Sequence, residues 1–105
     1  MNGIEMLRRC ARFVPGVVEE DNPGVSQFGI IERTPEGSGY LTLWNPLNNP
    51  HQALELAIIK QAKIFFGELE VTAECDGYHY HTVAYNGSPA DAFCRAIVTA
   101  VAMLD

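Results

Sequence analysis

Histidines and carboxylates are concentrated in one short segment of the chain. Glu70 and Glu74 lie in an alternating run, and His79 and His81 follow the dipeptide Asp76-Gly77, which is typical of a two-residue hairpin turn. With such a turn, Glu74 faces His79 across two strands, and all four side chains share one face. Imidazole and carboxylate groups in this arrangement bind zinc or a similar metal. These four residues are the metal candidates, and a solvated polar face is the alternative.

A metal on this face would make the chain a small metal-dependent hydrolase. A catalytic zinc site needs three protein ligands and an open position, and the sequence singles out no third ligand to join His79 and His81. Without a metal, His79 and His81 are still candidates for binding a small ligand directly.

Two aromatic residues are candidates for an exposed platform on which a planar ligand would stack, namely Trp44 and Tyr85. Trp44 precedes a loop rich in Asn and Pro, and the amides of Asn45 and Asn48 in that loop are candidates for recognising a small polar ligand. Trp and Tyr side chains also fill hydrophobic cores, so core packing is the alternative for both rings.

Arg8 and Arg12 lie one turn apart in a predicted first helix. Two guanidinium groups at this spacing are able to hold a phosphate between them. The alternative is a solvated helix face whose positive charge balances the acidic residues Glu19, Glu20 and Asp21.

Nucleophilic catalysis finds little support in the sequence. There is no Gly-x-Ser-x-Gly motif, no Walker loop and no Gly-x-Gly-x-x-Gly after a predicted strand. The three cysteines, Cys10, Cys75 and Cys94, form no CxxC pair, so we expect free thiols in a reducing cytoplasm. We therefore predict no catalytic residue and no cofactor.

The composition is that of a small globular protein. The 105 residues suffice for one domain, 48% of them are hydrophobic, and 7 Lys and Arg against 13 Asp and Glu give a net charge of -6. Double-stranded nucleic acid is an unexpected partner, because its phosphates require clustered basic residues. The longest apolar stretch, Ala53–Phe66, contains several charges, so no membrane span and no membrane partner are expected.

The elements that must position these residues follow the order α-β-β-α-β-β-α in a single domain. Residues 1–14 form a predicted N-terminal helix, residues 15–24 an acidic loop, and residues 25–105 the sandwich core. Two hairpins separated by a helix from Pro50 to about Ile64 predict an α+β fold, one antiparallel sheet of about four strands with helices packed on it. Helices on both faces are the alternative. Unpaired hairpin edges and an apolar last helix favour a homo-oligomer.

Two helix starts in this chain carry a family resemblance. The stretch LWNPLNNPHQA (residues 43–53) contains an aromatic-Asn-Pro followed by Asn-x-x-x-Ala, and the stretch SPADAFCRAI (residues 88–97) contains Pro, then Ala, then Cys-Arg-Ala. Together they resemble signatures of the phage ABA-sandwich domain family, which includes NinX-like proteins of lambdoid phages. The resemblance covers about Tyr40 to Leu104.

The resemblance implies an α/β/α sandwich and an origin in a phage or prophage, and it implies no catalytic residues. We therefore expect a non-enzymatic phage accessory protein that acts by binding in the cytoplasm of a bacterial host. It would sequester a small signal molecule, for example a nucleotide-like one, or inhibit a host or defence protein. The metal-dependent hydrolase and a structural protein-interaction module are the alternatives.

Overall fold

The computed structural model describes residues 1–22, 25–33, 36–37 and 39–104. These residues form three helices and six strands in the order α-β-β-β-α-β-β-β-α, which confirms the α+β class and adds strands to the prediction. The elements are α1 (Gly3–Ala11), β1 (Val17–Asn22), β2 (Val25–Arg33), β3 (Gly39–Leu43), α2 (Pro50–Ile59), β4 (Lys63–Phe66), β5 (Glu70–Cys75), β6 (His79–Ala84) and α3 (Pro89–Ala102).

Side-chain caps begin α2 and α3 where the sequence predicts them. Asn49 Oδ1 accepts a hydrogen bond from the Gln52 N–H at 3.2 Å, and Ser88 Oγ accepts one from the Asp91 N–H at 3.4 Å. A proline follows each cap, at a position where a backbone N–H would have no partner within the helix.

α2 ends at Ile59, before the predicted end near Ile64. The chain closes the helix with a Schellman motif, in which the Ala62 N–H donates to the Ala57 carbonyl at 2.8 Å and Gln61 takes a left-handed φ of 52°. The aromatic and β-branched residues that follow favour a strand, and they form β4.

The prediction of an acidic loop over residues 15–24 is wrong for residues 17–22, which form β1. This strand pairs antiparallel with β2, and Val17 lies opposite Ile30, where both pack against the core. Acidic side chains are compatible with β1 because it is an edge strand, where charges are common. Residues 23 and 24 lie outside the described residues.

The described strands form two antiparallel sheets, not the single sheet that was predicted. One sheet has the order β1-β2-β3 and the other β4-β5-β6. The first hairpin gains β1, which lies in the segment interpreted as a loop. The second hairpin gains β4, which lies at the end of the segment interpreted as helix. The two additions account for the difference from the predicted four strands.

α3 lies at the centre of the core, as its apolar surface predicts. It packs on β5 and β6, on α1 and on α2, and its residues Ala96, Ile97 and Val98 are fully buried. On the opposite face of the second sheet, Phe65 and Tyr80 are 53% and 60% exposed. Helices therefore cover only one face of this sheet in the part of the chain that is described.

None of the helices among the described residues is both long enough and apolar enough to cross a membrane.

Candidate ligand cleft

The two histidines of β6 point inward rather than outward. Cys75 lies opposite His79 and Ala73 lies opposite His81 in the β5–β6 ladder. Opposed residues of an antiparallel pair share a face, so both imidazoles lie on the same face as the fully buried Cys75 and Ala73. The predicted pairing of Glu74 with His79 is wrong, because Glu74 lies opposite Tyr80.

The carboxylates Glu70 and Glu74 project from the other face, because side chains alternate along a strand. The turn holds three residues, 76–78, rather than two, and a shift of one residue moves a whole strand's side chains to the opposite face. Asp76 and Gly77 take left-handed φ values of 55° and 79° in this turn. No group of three or more His, Cys, Asp or Glu among the described residues is placed to hold a metal ion. The prediction that these four metal candidates share one face is therefore wrong.

The predicted stacking platform does not form either. Trp44 is 2% exposed and packs edge-on against Phe28, with ring centroids 6.2 Å apart. The Tyr85 hydroxyl donates to the Gly67 carbonyl at 2.8 Å, and its ring packs against the core. Both rings therefore stabilise the fold, and the core-packing alternative is the correct one.

The amide of Asn45 is used to shape the loop before α2. The side-chain Oδ1 of Asn45 accepts a hydrogen bond from the Leu47 N–H at 3.1 Å. The backbone N–H of Asn45 donates to Gln52 Oε1 at 2.7 Å. Asn48 is exposed, so of the two amides it is the one accessible to a ligand.

Arg8 and Arg12 do not form a clamp. Arg8 pairs with Glu19, with Nη2 and Oε1 2.7 Å apart. Arg12 donates from Nη2 to the Leu104 carbonyl just after α3, where a cation also interacts favourably with the negative end of the helix dipole. The two side chains thus have separate structural partners.

A cleft of about 480 Å³ lies where the ends of α1, α2 and α3 meet the β5–β6 turn. Its described lining consists of Phe13, Lys60, Gln61, Asp76, His79 and Leu104. These residues come from four separate segments, so only the folded chain brings them together.

Cations surround the one aromatic ring of this cleft. Lys60 Nζ lies 4.0 Å from the centroid of the Phe13 ring, and Arg12 Cζ lies 4.4 Å from it. Each contact of this kind contributes about 0.5–1 kcal/mol when exposed and more when desolvated. Lys60 is half-buried, and its ammonium has no carboxylate of the described residues within 4.0 Å, so no ion pair among these residues neutralises its charge.

His79 is oriented by Asp76. Its Nδ1 lies 3.0 and 3.1 Å from the two oxygens of that carboxylate. Partial desolvation raises the pKa of the Asp76 carboxyl, but the hydrogen bonds from the His79 ring and from the N–H groups of Tyr78 and His79 outweigh it and hold the pKa below its usual value. The carboxylate therefore acts as an acceptor, and Nδ1 carries the hydrogen.

A groove lined by arginines adjoins the cleft and shares Leu104 with it. This groove, of about 500 Å³, is bordered by Arg8, Arg9 and Arg12. Arg9 also reaches the end of α3, with Nη1 3.4 Å from the Ala102 carbonyl oxygen. Positive charge is thus concentrated at this end of an acidic protein.

Sequence reasoning missed Phe13, Lys60 and Gln61. It extended α2 to Ile64, which made Lys60 a residue of an exposed helical face. The signal that was available is the run of strand-forming residues Ile64–Phe66, which ends the helix early and turns Lys60 towards Phe13.

The cleft presents an ammonium, a nearby guanidinium and an oriented imidazole, and no hydroxyl or thiol nucleophile is among its described lining residues. This set of groups suits non-covalent binding of an anion better than covalent catalysis. Comparison with known proteins gives no family model, no curated protein and no solved structure that matches the chain.

Proposed function

We propose that this chain is a non-enzymatic binding protein that holds a small anionic ligand in the cleft. The observation that carries the proposal is the distribution of charge. Of the 7 Lys and Arg in the chain, four, Arg8, Arg9, Arg12 and Lys60, border the cleft and the adjoining groove around Leu104, against the Asp76 carboxylate of the cleft and the Arg8 partner Glu19. Because the net charge is -6, a concentration of cations around a concave site favours an anionic ligand there.

A binding role accounts for the groups better than a catalytic one. The nearest thiol in the sequence is Cys75, which is fully buried, and desolvation by burial raises the pKa of this thiol. It therefore stays protonated and is a poor nucleophile. His79 has an oriented imidazole but no nucleophile to activate among the described residues of the cleft.

The resemblance of the two helix starts to the phage ABA-sandwich domain family supports a phage or prophage origin for this binding protein. We propose a phage or prophage accessory protein that works in the cytoplasm of its bacterial host. A protein that binds a small molecule without converting it acts by lowering the free concentration of that molecule. Sequestration of a small anionic signal is the form of this function that fits the cleft.

An NMR titration tests the proposal. We expect citrate, glycerol phosphate and AMP to shift the amide resonances of residues around the cleft, above all Lys60, Gln61 and His79, and glycerol to shift none of them. Lys60→Gln should weaken the binding of every anion because it removes the ammonium that has no ion-pair partner among the described residues.

Lys63→Gln is the matched control, since it removes the same charge from an exposed position on β4. It should leave the titrations unchanged. If the anions shift resonances elsewhere, or if Lys60→Gln and Lys63→Gln behave alike, the cleft is not the binding site and the proposed function is wrong.

A second candidate function rests on α2, which is apolar on its outer side as well as its inner side. Leu54, Ile58 and Ile59 are 46%, 66% and 44% exposed. An apolar helix face of this kind favours contact with another protein chain, and we propose a second copy of this chain. Light scattering should show a dimer that Ile58→Ser dissociates and that Val18→Ser, at a 41% exposed position on β1, does not. A wild-type monomer contradicts it.

A further inference from the structure

We propose that the ligand of the cleft is a small oxyanion that carries its own hydroxyl group, as hydrogenphosphate, sugar phosphates and hydroxy acids do. This inference rests on the proposed function and adds to it a rule for selecting among anions. The two residues that set the rule are His79 and Lys60.

The first part of the rule comes from the orientation of His79. An imidazole that donates from Nδ1 to a carboxylate has, in its neutral form, an unprotonated Nε2 with a lone pair. Because an ionised carboxylate only accepts, the distances of 3.0 and 3.1 Å to the Asp76 oxygens assign the ring hydrogen to Nδ1. No described group forms a hydrogen bond with Nε2, and the side chain remains 32% exposed. His79 lines the cleft, so we infer that a ligand there meets an acceptor at this position.

The second part comes from Lys60. Its ammonium lies over the Phe13 ring and has no carboxylate of the described residues within 4.0 Å. An ammonium has three donors and no acceptor, so a ligand in the cleft meets a donor and a positive charge at this position. The negative oxygen of an anion satisfies both.

An anion without a hydrogen can satisfy only one of these two residues. If such an anion pairs with Lys60, its remaining oxygens are acceptors only. They face the lone pair of His79 Nε2, which is also an acceptor, so no hydrogen bond forms there. An oxyanion with a hydroxyl pairs with Lys60 through its charged oxygen and donates its hydrogen to Nε2. Because an unsatisfied polar group costs about 1–3 kcal/mol, the site should discriminate clearly between these two kinds of anion.

Phosphate and sulfate are the probes that separate them. At about pH 8, hydrogenphosphate and sulfate have the same charge and similar size, but only hydrogenphosphate carries a hydrogen. We expect phosphate to bind the wild-type protein roughly tenfold more tightly than sulfate in NMR titrations followed at Lys60 and His79, as one well-made hydrogen bond provides. Imidazole nitrogen spectra should show Nδ1–H in the free protein.

Two histidine variants make the test specific. His79→Gln places an amide that is able to donate or accept, so phosphate and sulfate should then bind equally, with sulfate binding improved. His51→Gln is the matched control, because His51 is exposed and pairs with Glu55 on α2 at 2.9 Å. It should keep the wild-type preference for phosphate.

The outcomes separate this inference from the proposed function. Equal binding of phosphate and sulfate by the wild-type protein, or a preference that His79→Gln retains, overturns the hydroxyl rule and leaves anion binding in place. Binding of organic anions without binding of either inorganic ion overturns the hydroxyl rule in the same way. If no anion of any kind shifts the cleft resonances, both the rule and the proposed function are wrong.

Discussion

His79 lies opposite Cys75 in the β5–β6 ladder, and this pairing decides the chemistry of the second hairpin. It turns the imidazole towards the cleft and away from the glutamates of β5. It also brings His79 Nδ1 to 3.0 Å from Asp76, the first residue of the turn. Because of this pairing, His79 does not share a face with Glu70 and Glu74. Its imidazole is oriented by Asp76 and lines the cleft together with Lys60.

The left-handed turn is tested by Gly77→Ala. Gly77 has a φ of 79°, and nothing lies within 4 Å of an added Cβ, so the substitution costs backbone strain alone. We expect the free energy of unfolding to fall by about 1–2 kcal/mol, measured by urea denaturation. Gly3→Ala in α1 is the control and should be neutral or slightly stabilising. An equal effect of both substitutions would show that the strain at Gly77 is absent.

The Asp76 carboxylate predicts an acid-dependent contribution to stability. Its pKa is lowered in the folded protein, so its contribution is present above the ordinary aspartate pKa of about 3.9 and is lost as the pH falls through the folded value. Asp76→Asn should therefore lower the melting temperature near neutral pH. The difference from the wild type should shrink as the pH falls below the ordinary aspartate pKa and through the lower folded value. A difference that is independent of pH would contradict this assignment.

The buried thiol of Cys10 predicts a loss of stability at alkaline pH. Desolvation by burial raises the pKa of this thiol to about 12 from the ordinary value of 9.0. Above pH 9.0 the unfolded chain loses this proton and the folded chain keeps it, so stability falls as the pH rises, by up to about 1.4 kcal/mol per pH unit. Urea denaturation between about pH 8.5 and 10.5 should show a shallower loss for Cys10→Ala than for the wild type. Parallel pH profiles would mean that Cys10 is accessible to water.

Two leucines of α2 test the position of the core. Leu56 is 1% exposed and Leu54 is 46% exposed. Leu56→Ala should reduce the free energy of unfolding by about 2–5 kcal/mol, because it leaves a cavity in a packed core. At a protein concentration where light scattering shows a monomer, Leu54→Ala removes the same atoms from the surface and should cost well under half as much. Similar losses in the monomer would place Leu54 in the core and contradict its exposure.

The sequence by itself determined the local features of this protein. Asn49-Pro50 and Ser88-Pro89 begin two helices because the cap residue and the proline act on the backbone beside them. The apolar residues of α3 are evident from the sequence, and they are buried at the centre of the core. The α+β class follows from the alternation of such segments, each of which carries its own signal.

Only the tertiary structure decided which residues meet. The number of residues in the turn at Asp76 depends on how β6 packs against α3, because a shift of one residue exchanges the buried and exposed faces of the strand. The approach of Lys60 to Phe13 depends on the early end of α2 and on where α1 packs. Side-chain contacts between distant segments depend on how the whole core packs. Local sequence patterns do not determine that packing.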